Sequence, residues 1–243
     1  MAVQSIFKRY ELKYKLTPAQ HNALCEAMQG YMQADEYGRY LIRNVYFDTA
    51  DYQIIRQSIE KPTYKEKLRL RQYGMPEEGK LAFIELKKKY NGVVYKRRVD
   101  LPQEAAVTYL WQGDAPPQHA QILDEIDYFK QSHPDIRPRV YLSYEREAYF
   151  CPTDENFRLT FDYNIKTRDC DVSLAPSAGD KPVLRDDSIL MEVKIVGGLP
   201  LWFTHFLSEH QIYKTSFSKY GTAYTRYSQP HLSEYIGGFS HAI

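Results

Sequence analysis

In three strand-like runs of this sequence a glutamate stands two residues before a lysine: Glu11-Leu12-Lys13, Glu85-Leu86-Lys87 and Glu192-Val193-Lys194. In an extended strand residues i and i+2 share a face, so each unit sets a carboxylate and an ammonium side by side. Carboxylates hold Mg2+ or Mn2+ through oxygen, and Lys and Arg hold phosphate oxygens. A site for a metal-bound phosphate needs both. The surrounding runs keep the same alternation. Lys65, Lys67, Arg69 and Arg71 oppose Leu68 and Leu70, and Glu85, Lys87 and Lys89 oppose Ile84 and Leu86. Tyr144 and Arg146 oppose Glu145 and Glu147, and Arg158, Thr160 and Asp162 oppose Leu159 and Phe161. Alternation alone fits a solvated outer face. The density of Arg and Lys, with a carboxylate recurring beside a Lys, points instead to a bound polyanion. Burying so many cations is unfavourable unless anions accompany them, so the glutamates should be paired to Lys or Arg.

The elements that must position these residues are mostly strands. Ile6 to Leu16 alternates with period two, and Thr17-Pro18-Ala19-Gln20 then reads as a cap, a first-turn proline and a capping glutamine. That predicts a helix from Pro18 to about Met32 with Leu24, Met28 and Tyr31 on its buried face. Strands follow at Leu41–Phe47, Tyr64–Tyr73, Lys80–Tyr90 and Gly92–Leu101, with Asn91-Gly92 as a hairpin turn between the last two. Helices are expected over Gln103–Trp111 and Gln118–Ser132, the second presenting Ile122, Ile126 and Phe129. Strands resume at Arg137–Phe150, Arg158–Arg168 and Ser188–Val196, then helices at Leu199–His210 and Ser218–Tyr227. The blocks do not alternate as parallel βαβ units would. The expected fold class is α+β: one domain over residues 1–243, a closed antiparallel β-barrel with helices packed outside.

Composition limits the function classes. The 32 Lys and Arg are balanced by 31 Asp and Glu, for a formal net charge of +1, so bulk charge gives no case for nucleic-acid binding. The 22 Tyr and 11 Phe favour strands. Cys25, Cys151 and Cys170 form neither a paired framework nor a zinc spacing. No run approaches a transmembrane length and Met1 to Arg9 lacks a signal-peptide core, so a cytoplasmic protein without a membrane segment is expected. His205 and His210 are five apart, unlike the spacing of four in zinc proteases, and read as surface histidines. Trp111 and Trp202 read as packing residues, and Asp48 as the cap of a turn.

The chain resembles a known family along most of its length. The segments that carry the resemblance are Phe7-x-Arg9-Tyr10-Glu11-Leu12-Lys13-Tyr14, Val45-Tyr46-Phe47-Asp48-Thr49, Lys67-Leu68-Arg69-Leu70-Arg71, Phe83-Ile84-Glu85-Leu86-Lys87, Tyr95-Lys96-Arg97-Arg98, Tyr144-x-Arg146, Arg158-Leu159-Thr160-Phe161-Asp162, Met191-Glu192-Val193-Lys194 and Phe217-Ser218-Lys219-Tyr220. In this order they are similar to the VTC domain, the catalytic domain of polyphosphate polymerases within the triphosphate tunnel metalloenzymes (CYTH-like superfamily). The resemblance implies a barrel whose charged faces point inward, and a metal-dependent transfer of the ATP γ-phosphoryl group to a polyphosphate chain. It implies Lys13, Arg69, Arg71, Lys87, Arg146, Arg158 and Lys219 as catalytic phosphate-holding residues. Lys96, Tyr144, Lys194 and Ser218 would bind substrate, and Glu192, Glu11 and Glu85 would serve the metal, Mn2+ or Mg2+. ATP, polyphosphate or tripolyphosphate are the expected ligands.

Two departures stand out. Relatives in the cyclase and thiamine-triphosphatase branch begin Glu-x-Glu-x-Lys, where this chain has Arg9-Tyr10-Glu11-Leu12-Lys13. Polymerase members carry Lys before Phe-Ser-Lys, where this chain has Ser216, with Lys214 two residues earlier. Synthesis of polyphosphate, hydrolysis of a triphosphate, and non-catalytic binding of polyphosphate all remain open on the sequence.

Overall fold

The computed structural model describes residues 9–75, 79–91, 93–114, 120–184 and 186–229. In chain order the strands and helices are β1 (Arg9–Leu16), α1 (Pro18–Ala27), β2 (Gln33–Ala34), β3 (Tyr40–Asp48), α2 (Gln53–Ile59), β4 (Tyr64–Tyr73), β5 (Leu81–Tyr90), β6 (Val93–Pro102), α3 (Gln103–Val107), α4 (Gln121–Ser132), β7 (Arg137–Cys151), β8 (Asp154–Arg168), β9 (Lys181–Pro182), β10 (Ile189–Val196), α5 (Leu201–Glu209) and α6 (Lys219–Ala223). The architecture is α+β, with a large antiparallel sheet and six α-helices among the described residues.

The chain forms two compact units. The first takes in the chain up to Tyr40, Tyr144–Ile165 and Leu184–Phe217. Its strands run in the order β1-β10-β8-β7, and β1 is an edge. Its core is built on Leu16, Leu24, Phe157, Leu159, Phe161, Met191, Val193 and Phe203, joined by Met28 just after α1 and by Phe206 and Leu207 of α5. The start of α1 is the expected capping box: Gln20 N–H donates to Thr17 Oγ1, and Thr17 N–H donates to Gln20 Oε1. The helix ends at Ala27, earlier than expected, and Tyr31 is exposed, its ring stacked on Trp202 rather than buried. Leu24 and Met28 face the core as expected.

The second unit takes in Leu41–Ser143, Lys166–Val183 and the chain from Ser218 on. Its strand order is β7-β3-β4-β5-β6, and β6 is an edge. The core holds Val45, Phe47, Leu68, Leu70, Ile84, Leu86, Leu101 and Tyr141, covered by Leu123, Ile126 and Phe129 of α4. Neither strand path returns on itself through hydrogen bonds, so the closed barrel expected above stands here as a large antiparallel sheet with edge strands. The β5–β6 hairpin pairs Tyr90 with Val93, leaving a two-residue turn at Asn91, whose φ of 46° lies in the left-handed region such turns require. Gly92 lies outside the described residues, as do Ile6 to Lys8 of the first expected strand and Gln118 and His119 of the expected second helix.

One helix is absent from the sequence reading. α2 follows the left-handed residue Tyr52 (φ 60°) and is capped from a distance: the Asp48 carboxylate accepts the N–H groups of Thr49, Ile54 and Ile55. This is the capping role expected for Asp48, extended to a helix start. No described helix is long and apolar enough to cross a membrane.

Candidate phosphate-binding faces

The charged residues of the second unit share one face of β3 to β6. The register aligns Tyr46 with Arg69, Arg69 with Glu85 and Glu85 with Arg98. One row further along, Lys67, Lys87 and Lys96 stand directly opposite one another. With Lys65, Lys89 and Arg71, this face of β4 to β6 carries eight cations against two carboxylates, Glu85 and Asp100. Like charges directly across a strand pair are destabilising. Their crowding shows at Lys65, where burial and then the neighbouring Lys89, Lys87 and Lys61 push the ammonium below its ordinary pKa. The opposite face carries Lys88 and Arg97, which both pair with Glu125 of α4, so the Lys87-Lys88-Lys89 run is split between faces.

Glu85 is the hub of that face. Its side chain is 1% exposed, while Lys87 and Lys96 of the same face are exposed. Arg69 Nε donates to Glu85 Oε2 at 2.7 Å, and Lys96 Nζ lies 2.6 Å from Oε1. Arg71 and Arg98 stand 3.9 and 3.8 Å away. Burial alone would raise the Glu85 pKa; Arg69, Arg71 and Lys96 outweigh it and bring it down to about 2. Arg71 Nε donates to Asn44 Oδ1, and Arg69 Nη1 donates to the Tyr46 hydroxyl at 3.0 Å. The Lys67 ammonium lies 5.9 Å from the Tyr220 ring centroid, and Lys219, the first residue of α6, is buried. The Ser218 hydroxyl accepts the Gly221 N–H and so caps α6, leaving its own proton to donate.

The first unit carries a differently balanced face. The register sets Lys13 opposite Glu192 and Glu192 opposite Thr160; beside them, Glu11, Lys194 and Arg158 form a second row. Arg146 of β7 grips Asp162 with two bonds, Nε to Oδ1 at 2.6 Å and Nη2 to Oδ2 at 2.7 Å. The same Nη2 donates to Glu192 Oε2 at 3.0 Å. The other Glu192 oxygen lies 3.2 Å from Lys13 Nζ, which is also 3.4 Å from Glu11. Burial works against the Arg146 charge, but Tyr144, Asp162 and Glu192 together hold its pKa well above the ordinary value. Tyr144 is buried beside this guanidinium, 5.2 Å from ring centroid to Cζ. Arg158 and Lys194 are exposed. Thr160 Oγ1 is buried and has no hydrogen-bond partner among the described residues, an orphaned polar atom in the row of Glu192.

The structure therefore gathers Lys13, Glu11, Tyr144, Arg146, Arg158, Glu192 and Lys194 in one unit, and Arg69, Arg71, Glu85, Lys87, Lys96, Ser218 and Lys219 in the other. Two residues on these faces were given no role by the sequence reading. Asp162 shares an alternating face with Arg158, but its grip on Arg146 depends on the β7–β8 register. Tyr46 sits inside an apolar run, and only the pairing of β3 with β4 reveals its contact with Arg69. The segment carrying Lys214 and Ser216 runs beside β1: Thr215 N–H donates to Lys13 O, and Lys214 bridges to Tyr14. Trp111 packs edge-on against Phe47, and His210 stacks on Phe206, in keeping with structural roles for both.

Among solved structures, a crystal structure of a candidate adenylate cyclase from Bacillus halodurans is similar to this chain. It is 17% identical, with a TM-score of 0.52, and the match covers 86% of this chain and 92% of that one. A candidate adenylate cyclase from Vibrio parahaemolyticus is 12% identical with a TM-score of 0.47, over 90% of this chain and 98% of that one. The first likeness speaks to the fold alone. No curated protein matches. The family model of the VTC domain matches residues 8–227, nearly the whole chain and every residue of both charged faces. The chain belongs to the VTC domain family.

Proposed function

We propose that this protein is a metal-dependent polyphosphate polymerase, which transfers the γ-phosphoryl group of ATP to a polyphosphate chain. The observation that carries the reading is the in-register row Lys67, Lys87 and Lys96 beside Arg69, Glu85 and Arg98. Ammonium groups directly across adjacent strands repel one another, and Glu85, which holds Lys96 and Arg69, is one carboxylate among many cations on this face. A chain of phosphates supplies further negative charge, and each phosphate offers several acceptor oxygens. We also infer that the two units serve one domain, since β7 and β8 each run through both.

Phosphoryl transfer asks the protein for positioning and charge stabilisation rather than a covalent nucleophile. In this reading Arg69, Arg71, Lys87, Lys96 and Lys219 hold phosphate oxygens on one face, with Ser218 donating its hydroxyl. Lys13, Arg146, Arg158, Lys194 and Tyr144 do so on the other. Glu85 fits a metal poorly, because Arg69 and Lys96 already occupy its two oxygens; its role is to hold those two cations in place. Glu192 and Glu11 fit better. Glu192 meets Arg146 and Lys13 at 3.0 and 3.2 Å, longer than the 2.7 and 2.6 Å contacts of Glu85, Glu11 adds a second carboxylate beside Lys13, and Thr160 brings a buried hydroxyl with no hydrogen-bond partner among the described residues. No group of three or more His, Cys, Asp or Glu gathers among the described residues. Glu192 and Glu11 would hold a divalent ion through carboxylate oxygens, and the ion when bound would supply neutralisation of phosphate charge.

Hydrolysis is the second reading, favoured by Ser216 at the position where polymerase members carry Lys. Incubation with ATP and Mn2+, followed by gel separation of polymer and assay of free phosphate, tests both. Long anionic polymer is the expected product. Phosphate release without polymer establishes the hydrolase, and neither product in a protein that binds tripolyphosphate leaves a binding module.

A further inference from the structure

Tyr46 is buried on β3, and its ring stacks on Tyr220 with centroids 4.5 Å apart and planes 22° from parallel. The Tyr220 hydroxyl is spent on Asp48, donating to Oδ2 at 2.7 Å, and Asp48 takes three backbone N–H groups besides. Tyr46 has no such partner on the core side. Its oxygen accepts from Arg69 Nη1 at 3.0 Å, and no acceptor for its own proton stands among the described residues. Packing over Tyr220 needs only a ring, which Phe would supply equally. A hydroxyl retained at a buried position, bonded to a guanidinium that Glu85 already holds by two nitrogens, needs a further reason.

We propose that Tyr46 is a phosphate-binding residue: its hydroxyl accepts from Arg69 and donates its proton to an oxygen of the phosphate that Arg69 holds. The inference rests on the phosphate-binding reading of the β3–β6 face and adds a neutral donor to a row of cations. The donor fixes an oxygen by direction where the ammonium groups act as point charges. It also locks the Arg69 fork: Nε and Nη2 on Glu85, Nη1 on Tyr46.

The charges that face Tyr46 make its role readable by pH. Arg69, Arg71 and Lys67 come from β4, Glu85 from β5, and Tyr220 from α6 with Asp48 behind it. Burial pushes the phenol up, but Arg69, Arg71 and Lys67 outweigh it and bring it down to about 8. As pH rises through that value the free protein loses the donor and gains a negative charge against the phosphate. The kcat/KM for ATP, which reports the free enzyme, should therefore fall on the alkaline side.

The test is Tyr46→Phe, beside wild type and Arg69→Ala. Tyr46→Phe should lower kcat/KM and the affinity for tripolyphosphate by about 10- to 100-fold, the loss of one hydrogen bond to a charged group, and should lack the alkaline fall near pH 8. In wild type, saturating tripolyphosphate should suppress the tyrosinate absorbance that grows near pH 8, a measurement needing no variant. Equal tripolyphosphate affinity in Tyr46→Phe and wild type overturns the inference. So does a wild-type tyrosinate signal indifferent to tripolyphosphate. Arg69→Ala separates the two claims. If it loses binding while Tyr46→Phe does not, only the role of Tyr46 falls; if Arg69→Ala also binds normally, the phosphate reading of the whole face falls with it.

Discussion

The two charged faces use the same Glu-x-Lys unit and reach opposite electrostatic states. Around Glu85 one carboxylate faces a crowd: Arg69, Arg71, Lys96 and Arg98 all lie within 4 Å of it. Around Glu192 a single guanidinium, Arg146, divides itself between two carboxylates, and Lys13 divides itself between Glu192 and Glu11. The first face has positive charge left over; the second is close to neutral. A motif of two residues thus says that charge is present, while the neighbouring strands decide its sign. The first arrangement suits an anion, the second an anion that arrives with a cation.

The largest effect expected from this contrast is on stability. Arg146→Ala removes the two-bond partner of the fully buried Asp162 carboxylate and should cost about 3–5 kcal/mol in chemical denaturation. Arg69→Ala should cost less, because Glu85 keeps Lys96 nearby with Arg71 and Arg98. A larger loss in Arg69→Ala would reverse the comparison. Activity should order the other way: Arg69→Ala is expected to slow ATP turnover about 10²–10³-fold while remaining folded, in line with loss of one charge-stabilising group. Next comes Glu192→Gln, which should weaken activation by Mn2+ about 10–100-fold and leave metal-free tripolyphosphate binding intact. Equal metal activation in the variant would remove Glu192 from the metal's shell.

Two smaller effects sharpen the contrast. Tripolyphosphate affinity should fall as salt rises, because several cations act together, and salt-independent binding would argue against the cation-rich face as its site. Acid should act through Glu85. Its folded pKa lies below the unfolded value, so its stabilisation is present above the unfolded pKa and is lost as pH falls from about 4.5 to about 2. A Glu85→Gln variant should lack this acid-dependent component, which a denaturation series across that range would reveal.

Much of the frame was legible because strand alternation is a local signal. The runs Tyr64–Tyr73 and Arg137 onward, the capping box at Thr17 and the turn at Asn91 all follow from neighbours in sequence. The misses share a cause as well. α2 begins at a left-handed tyrosine and draws its cap from Asp48, several residues upstream, so no cap precedes it directly. Tyr31 leaves the core because α1 stops at Ala27 and the chain turns through Gly30, whose φ of 86° ends the helical spacing. At the site, alternation identified which side chains share a face. It could not say which strands lie side by side, and so gave neither the Arg146–Asp162 pair nor the contact of Tyr46 with Arg69.

The hairpin at Asn91 carries one more consequence. Its two-residue turn sets Lys87 against Lys96, and the same pairing sets Leu86 against Arg97. A single inserted residue within β5 would reverse the parity of every position before it, turning Glu85 toward the apolar core and Ile84 toward the cations. Two inserted residues would only shift the rows by one step. Length variation in this hairpin should therefore be tolerated in even steps and rejected in odd ones, a reading-frame constraint written in side-chain direction rather than in codons.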